Sequence, residues 1–194
     1  IEDPIEFFFV QDRCIISQRE IGSDVLSYAD GLKSILRQDP NVVVVGDIRD
    51  LETLETVLTL AEPGHLVFST LHTNSAAQTI DRILNSYPAN QQNQISSQLA
   101  ASLSGIVSER LIPRVSGGRM PACEVLIANS AVKNLIREGK SYQIDLVIET
   151  SLQEGMVSLN RYLATLVKRR EISLENAEIY ATNVVELRNI LERL

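Results

Sequence analysis

A run of four valines, Val42 to Val45, constrains the fold of this chain more than any other feature of its sequence. β-Branched residues favour strands, and an unbroken apolar run fits a strand that is buried on both faces in a parallel sheet. The run ends in Gly46 and the acidic residue Asp47. Because open α/β sheets place their ligands beyond the carboxyl ends of parallel strands, the sequence predicts a ligand site at this point.

Short β-branched runs alternate along the chain with longer apolar repeats of helical period, which predicts an α/β protein. Further strands are predicted at His65 to Leu71, which we expect to be buried, at Cys123 to Ala128, and as a hairpin at Phe7 to Val10 and Cys14 to Ser17. Helices are predicted at Val25 to Gln38, about Asp50 to Glu62, from about Ser75, at Gln91 to Val107, and through most of Ser130 to Leu194.

Composition argues against several classes of protein. The 194 residues suffice for one domain with a substantial core. A net charge of -7 argues against a nucleic-acid partner, whose phosphates require clustered Lys and Arg. The two cysteines, Cys14 and Cys123, cannot form a four-cysteine zinc site, and we expect them to be reduced thiols of a cytoplasmic protein. No apolar run approaches the about 20 residues of a membrane-spanning helix.

Three polar clusters stand at the predicted strand ends, and the first is Glu2-Asp3-Pro4-Ile5-Glu6. It contains three carboxylates within five positions. Crowded carboxylates suit the binding of a metal-bound water or the work of a general base. An acidic surface turn is the alternative interpretation of this cluster taken alone.

The second cluster is Gly46-Asp47-Ile48-Arg49-Asp50, directly after the valines. A strand that ends in glycine and then an acid has the form of a Walker B element, in which the acid meets Mg²⁺ or its water shell beside nucleotide phosphates. Many parallel strands show this pattern by chance, so the cluster alone is weak evidence.

The third cluster runs from Gly64 to Asn74 and contains both histidines, His65 and His72. Their separation of seven would point them to opposite faces of a strand, which argues against a shared metal site. Two structural histidines are one interpretation. Polar residues at the strand end keep a phosphate-sensing role open as the other.

The order and spacing of these clusters resemble the secretion ATPase superfamily. The residues I-E-D-P-I-E resemble its Asp box, R-Q-D-P-N-V-V-V-V-G-D-I-R-D its Walker B element, and G-H-L-V-F-S-T-L-H-T-N its His box. The sequence A-V-K-N-L-I-R-E at Ala131 to Glu138 is similar to a motif typical of the pilus-retraction (twitching-motility) branch. The cysteines of the zinc module usual in the pilus-assembly and type II branches are not present.

The resemblance implies specific roles for named residues. Glu6 takes the position of the general base, Asp47 that of the Walker B acid near Mg²⁺, which it would hold through water, and His65 and His72 those of the His box, which couples the γ-phosphate to subunit movement. The nucleotide-binding positions that it implies are Glu2, Asp3, Gly46, Arg49 and Thr70. The expected cofactors are ATP and Mg²⁺.

The chain departs from the family pattern in two respects. It has Asp47 where the family has glutamate, which shortens the reach of the carboxylate by one methylene, roughly 1.3–1.5 Å. It also contains no G-x-x-x-x-G-K-[ST] loop, the element that holds the β- and γ-phosphates. Since the chain begins at Ile1 and not Met, we expect it to be a C-terminal fragment of a motor domain that neither binds ATP well nor hydrolyses it, and whose sheet has an exposed apolar edge.

The resemblance also implies an architecture and partners. We expect residues 1–118 to be the C-terminal portion of an incomplete RecA-like P-loop core, and residues 119–194 its final strand and helical C-terminal region. The parent protein would be a homo-hexamer, cytoplasmic and peripheral at the inner membrane, that acts with a pilus platform protein. A non-catalytic subunit of such a hexamer, an assembly or type II motor, and an α/β domain without a nucleotide remain alternatives.

Overall fold

The computed structural model describes all 194 residues and confirms an α/β fold. Four strands are present: β1 (Val42–Val45), β2 (Leu66–Ser69), β3 (Gly105–Pro113) and β4 (Arg119–Ile127). The first helices are α1 (Tyr28–Ile35), α2 (Leu51–Ala61), α3 (Ala76–Asn85) and α4 (Ala89–Ser102). The later ones are α5 (Ser130–Arg137), α6 (Ile144–Thr150), α7 (Leu159–Lys168), α8 (Leu174–Tyr180) and α9 (Val184–Arg193). Short 3₁₀ turns occur at Ser141–Gln143 and Leu152–Glu154.

The contacts within the chain divide it into two compact units. The first unit comprises Ile1–His72 and Ile83–Ser102, and the second comprises Thr73–Arg82 and Leu103–Leu194. Residue 118, at which the sequence predicts a division, lies in the turn between β3 and β4.

The first unit contains a parallel pair of strands, as the sequence predicts. β1 pairs with β2 in a register that sets Val42 beside Leu66 and Val45 beside Ser69. The crossover between them is α2, whose N-cap Asp50 accepts a hydrogen bond from the backbone of Thr53 at 2.8 Å. Such a side-chain cap satisfies one of the amide groups that a helix start leaves unpaired.

The prediction that β1 and β2 are buried on both faces is wrong. Side chains alternate across a strand, and here Val43 and Val45 are buried while the opposite face is exposed. The exposed residues, which we call the open sheet face, are Val42, Val44, Leu66 and Phe68. The exposed apolar surface of this sheet therefore lies on one of its faces, whereas the prediction placed it at an edge.

The predicted hairpin at Phe7 to Ser17 is also wrong, because no strand forms there. Glutamine side chains link this segment in place of a backbone ladder: Phe9 N donates to Gln18 Oε1 at 2.9 Å, and Gln11 Nε2 donates to the Ile16 carbonyl at 2.9 Å. The apolar side chains of the segment are exposed, so their pattern does not mark a buried strand face.

The helix predicted at Gln91 to Val107 extends too far. Helix α4 ends at Ser102, and the residues from Gly105 form β3, a strand that the sequence analysis missed. Helix α1 is shorter than predicted at both ends: it ends at Ile35, and it starts after the N-cap Ser27, whose Oγ accepts from Asp30 N at 3.1 Å.

The second unit is built on an antiparallel hairpin packed against helices. β3 and β4 pair from Gly105 beside Ile127 to Pro113 beside Arg119. The turn uses Gly117 and Gly118 at φ of 90° and 73°, a region that glycine enters at little cost. The core between the hairpin and the helices is formed by Ile112, Ala122, Leu159, Leu163, Ala164, Leu166, Ile172, Ala177 and Leu187. The helical character predicted for residues 130–194 is confirmed. None of the helices has the length and apolar character needed to cross a membrane.

Candidate functional site

The carboxyl end of β1 is held between the acidic segment and β2. Gly46 N donates to the Ile1 carbonyl at 2.8 Å, and the Gly46 carbonyl accepts from Thr70 Oγ1 at 2.5 Å. Ile48 N donates to the Thr70 carbonyl at 3.2 Å. A Cβ atom at position 46 would lie 3.2 Å from Glu2 Cα, so glycine allows the close approach of the acidic segment.

Asp47 is the centre of the polar groups at this end of the sheet. Its side chain is 10% exposed, and its Oδ2 accepts from Arg49 Nε at 2.7 Å. His72 Nε2 lies 3.3 Å from the same oxygen. Arg49 Nη1 in turn donates to Asp3 Oδ2 at 3.2 Å. One network therefore joins a residue from each of the three polar clusters.

The charge of Asp47 is set by opposing effects. Burial alone would raise the pKa of the Asp47 carboxyl, but the hydrogen bond from Arg49 and the neighbouring His72 outweigh it, and the pKa is lowered. Asp47 is therefore ionised at neutral pH, as an acid that orders the water shell of a cation must be.

The sequence that carries this network matches a known protein family. The family model described as "Type II/IV secretion system protein" matches residues 1–187. The chain belongs to this family.

Individual members of the secretion protein family are similar over the same region. The type IV pilus retraction ATPase PilT of Pseudomonas aeruginosa is 46% identical over 177 residues, which are 91% of this chain and 52% of that protein. A twitching motility protein of Neisseria gonorrhoeae is 46% identical over 184 residues, 94% of this chain and 49% of that protein. The chain thus spans about half the length of these relatives.

A solved structure has the same fold. The crystal structure of the pilus retraction motor PilT with bound ADP matches with a TM-score of 0.88 at 46% identity, over 100% of this chain and 53% of that one. The likeness supports the predicted general kind of fold, a RecA-like core.

The residues at this site can be compared with what the predicted cofactor Mg²⁺ would require. The second carboxylate oxygen of Asp47, Oδ1, is buried and has no hydrogen-bond partner in the protein. A buried acceptor of this kind needs a partner, and a water of a cation's shell supplies one. No group of three or more His, Cys, Asp or Glu side chains is placed to hold a metal ion directly. The residues present thus fit a Mg²⁺ ion held through water at Asp47.

Glu6 and His65 of the predicted site lie apart from this network. Glu6 is exposed and is not among the groups that bind Asp47 or Arg49. His65 precedes β2 and His72 follows it, so the two histidines lie at opposite ends of the strand. His65 Nδ1 lies 3.0 Å from the Leu60 carbonyl, at the end of α2. The roles of both residues stay predictions.

Glu2 belongs to the segment but not to the Asp47 network. Its backbone joins Arg19 and Ile21 at 3.0 Å each, and its carboxylate accepts from Gln18 Nε2 at 3.0 Å. Glu2 therefore fixes the path of the acidic segment past Gly46.

Tyr28, on the first turn of α1, lies near the site although the sequence does not predict it there. Its side chain is buried, and its hydroxyl reaches the backbone beside Gly46. The helical spacing of the neighbouring Ala29 and Leu32 marks this face as core, so a tyrosine here reads as an apolar residue. The only sequence signal is a phenolic hydroxyl on an otherwise apolar helix face.

Proposed function

We propose that the full-length protein is an ATP-hydrolysing motor of type IV pilus retraction, and that these residues supply its Walker B acid and His box. The observation that carries the proposal is the network in which Asp47 contacts Arg49 and His72 while Arg49 contacts Asp3. The similarity to PilT of P. aeruginosa supports retraction as the output.

In this proposal each residue at the end of β1 has a separate role in holding the cation. Bound Mg²⁺ would neutralise charge that develops on the transferred phosphoryl group. Asp47 holds the water shell of the cation through Oδ1, while Arg49 keeps the other oxygen occupied and the carboxylate oriented. Thr70 and Gly46 fix the backbone on which Asp47 stands.

His72 is the residue that would report the state of the nucleotide. Its ring is largely exposed while Nε2 is within reach of Asp47 Oδ2, so a phosphate can approach the ring from solvent. We assign to Glu6 the activation of the attacking water and to His65 the second His-box position, both from their places in the motifs.

The proposal also covers the assembly of the motor and the activity of the 194 residues on their own. The motor would be a homo-hexamer at the cytoplasmic face of the inner membrane, engaging a pilus platform protein. The 194 residues alone are expected neither to bind ATP tightly nor to hydrolyse it, because their sequence lacks the phosphate-binding loop.

A non-catalytic subunit of such a motor is the second candidate, and Asp47 is the observation that favours it. The shorter acid has one oxygen committed to Arg49, which leaves only Oδ1 for the cation shell. Asp47→Glu separates the two candidates in the full-length protein. Turnover that is substantial with aspartate and little changed by glutamate supports the motor, whereas no turnover with either residue supports the auxiliary subunit.

Deletion of the gene tests the direction of the motor. A retraction motor predicts hyperpiliated cells that do not twitch, restored by the unmodified gene and not by Asp47→Asn. Glu192→Gln is the control because Glu192 is an exposed residue of α9, and it should restore motility fully. Cells without pili would contradict retraction and support pilus assembly.

A further inference from the structure

Two buried polar atoms near Gly46 have no hydrogen-bond partner in the protein. They are the Tyr28 hydroxyl and Asp47 Oδ1. As whole residues, Tyr28 is 8% exposed and Asp47 is 7% exposed, and the two atoms themselves are buried, so bulk solvent does not satisfy either group. Because buried donors and acceptors nearly always have a partner, both atoms call for the same kind of explanation.

The Tyr28 hydroxyl lies beside the backbone of the residue that precedes Asp47. A Cβ atom built on Gly46 would lie 3.2 Å from the Tyr28 hydroxyl oxygen, and Asp47 is the next residue. Burial and the negative charges of Asp3, Asp47 and Glu2 raise the pKa of Tyr28, while Arg49 opposes them. The hydroxyl therefore lies in the field of the Asp47 network and stays protonated at neutral pH.

The chemistry of the two groups is complementary. A neutral phenol has one proton to donate, and a carboxylate oxygen only accepts. A single water can accept from the phenol and donate to the carboxylate, and it then has one donor and one acceptor left. That arrangement would satisfy both orphaned atoms at once.

We propose that Tyr28 is a positioning residue for the Mg²⁺ site, whose hydroxyl holds Asp47 Oδ1 through one ordered water. This inference rests on the proposed function, because it assigns Oδ1 to the water shell of the cation. With Oδ2 bound to Arg49 and Oδ1 held from Tyr28, the carboxylate has a single orientation. Tyr28 then acts on the cation through Asp47 and does not touch the nucleotide.

The test measures binding of ADP to the full-length protein by calorimetry, with Mg²⁺ and with EDTA. Tyr28→Phe removes only the hydroxyl, and we expect it to weaken binding of Mg²⁺-ADP by about 3- to 10-fold, the range of one neutral hydrogen bond, while binding of metal-free ADP is unchanged. In an Asp47→Asn background the same substitution should change the affinity by less than about twofold, because coupled residues are not additive.

Tyr87→Phe is the matched control. The Tyr87 hydroxyl is also buried without a partner, but its charged neighbour is Glu55 and not the Asp47 network. Removing it should leave the affinity for Mg²⁺-ADP unchanged. A crystal structure of the unmodified protein at a resolution that shows ordered water gives a second measurement that needs no variant, and it should show a water between Tyr28 and Asp47.

The outcomes separate this inference from the function on which it rests. If the unmodified protein does not bind Mg²⁺-ADP, or if Asp47→Asn leaves binding intact, the proposed function fails. The role of Tyr28 alone is overturned if Asp47→Asn abolishes the effect of Mg²⁺ on ADP binding but Tyr28→Phe binds Mg²⁺-ADP like the unmodified protein. It is also overturned if Tyr28→Phe weakens ADP binding equally with and without Mg²⁺. A structure without the bridging water overturns it as well.

Discussion

His72 Nε2 lies 3.3 Å from Asp47 Oδ2, which joins the residue that follows β2 to the acid that follows β1. The two side chains differ in accessibility, since His72 is 81% exposed and Asp47 is 10% exposed. The buried acid is fixed by Arg49, whereas the histidine has room to change its partner. A ligand that draws His72 away would therefore leave the acid in place.

His72→Ala should lower the turnover of the full-length protein much more than its affinity for nucleotide. Asp47 keeps its hydrogen bond from Arg49 in this variant, so the fold and the cation site should be retained. In the proposed function His72 contacts the transferring phosphate, and loss of such a group costs roughly 10²-fold in kcat. Steady-state kinetics and calorimetry in parallel check the split, and an equal loss in both would contradict this role.

Arg49→Gln should destabilise the first unit in a pH-dependent manner. Asp47 has a lowered pKa in the folded state, so its contribution is present above the ordinary value of 3.8 and is lost as the pH falls through the lowered pKa. Removing the hydrogen bond of a buried carboxylate should reduce the free energy of unfolding by about 1–3 kcal/mol at pH 7.

Denaturant unfolding at pH 7 and pH 3 measures this difference for the variant and the unmodified chain. The difference in the free energy of unfolding between Arg49→Gln and the unmodified chain should be smaller at pH 3 than at pH 7. Arg37→Gln, a change at an exposed arginine, should show no gap at either pH. A gap for Arg49→Gln that does not depend on pH would show that packing, and not charge, is lost.

Glu149→Gln should reduce the decrease in folding stability that we expect for the unmodified chain as the pH rises toward neutral. Partial burial, a hydrogen bond with Glu186 and the charges of Glu186 and Asp145 raise the pKa of Glu149 to about 7. A raised pKa in the folded state means that stability is full below the ordinary value of 4.5 and decreases as the pH rises through about 7.

Melting temperatures at pH 5.5 and pH 8 provide the measurement. The unmodified chain should melt lower at pH 8, and Glu149→Gln should reduce that difference because it keeps the hydrogen bond and lacks the charge. Glu192→Gln, on the same helix as Glu186, should retain the full difference. An identical pH dependence in Glu149→Gln would place the titrating group elsewhere.

The open sheet face should make the 194-residue chain associate with itself. Val42, Val44, Leu66 and Phe68 are each 45% or more exposed on one side of two paired strands, a contiguous apolar surface. Phe68→Ser should shift the chain toward monomer in sedimentation velocity. Phe8→Ser removes a phenylalanine that is 74% exposed outside the sheet and should have a smaller effect; a monodisperse monomer of the unmodified chain would contradict the prediction.

The parts of the fold that the sequence predicts are those set by local pattern. The valine run and the Gly46-Asp47 end mark a parallel strand and its site, and α2 follows from the cap at Asp50. Burial depends on what covers each face, so the valine run could not reveal that Val42 and Val44 are exposed. The sequence does not predict β3 because the pairing of this strand with β4 depends on contacts between residues far apart in the chain. The first apolar residues of β3 follow closely after α4 and are therefore assigned to that helix.

At the site, too, the sequence predicts what local motifs determine and not what long-range packing determines. The motifs identify Asp47, Arg49, Asp3 and His72, but not that one oxygen of Asp47 serves both Arg49 and His72. Tyr28 comes to the site through the packing of α1, and spacing along the helix cannot distinguish a phenol that meets a polar network from one that fills a core.

The central claim is that Asp47 is the Walker B acid of an ATP-hydrolysing motor, and steady-state ATP turnover by the full-length protein with Mg²⁺ tests it most directly. Turnover should be saturable, should require Mg²⁺ and should fall by about 10²-fold or more in Asp47→Asn, whereas Glu192→Gln should leave it unchanged. A protein that binds ATP and Mg²⁺ but does not turn over, or turnover that is indifferent to Asp47→Asn, would contradict it.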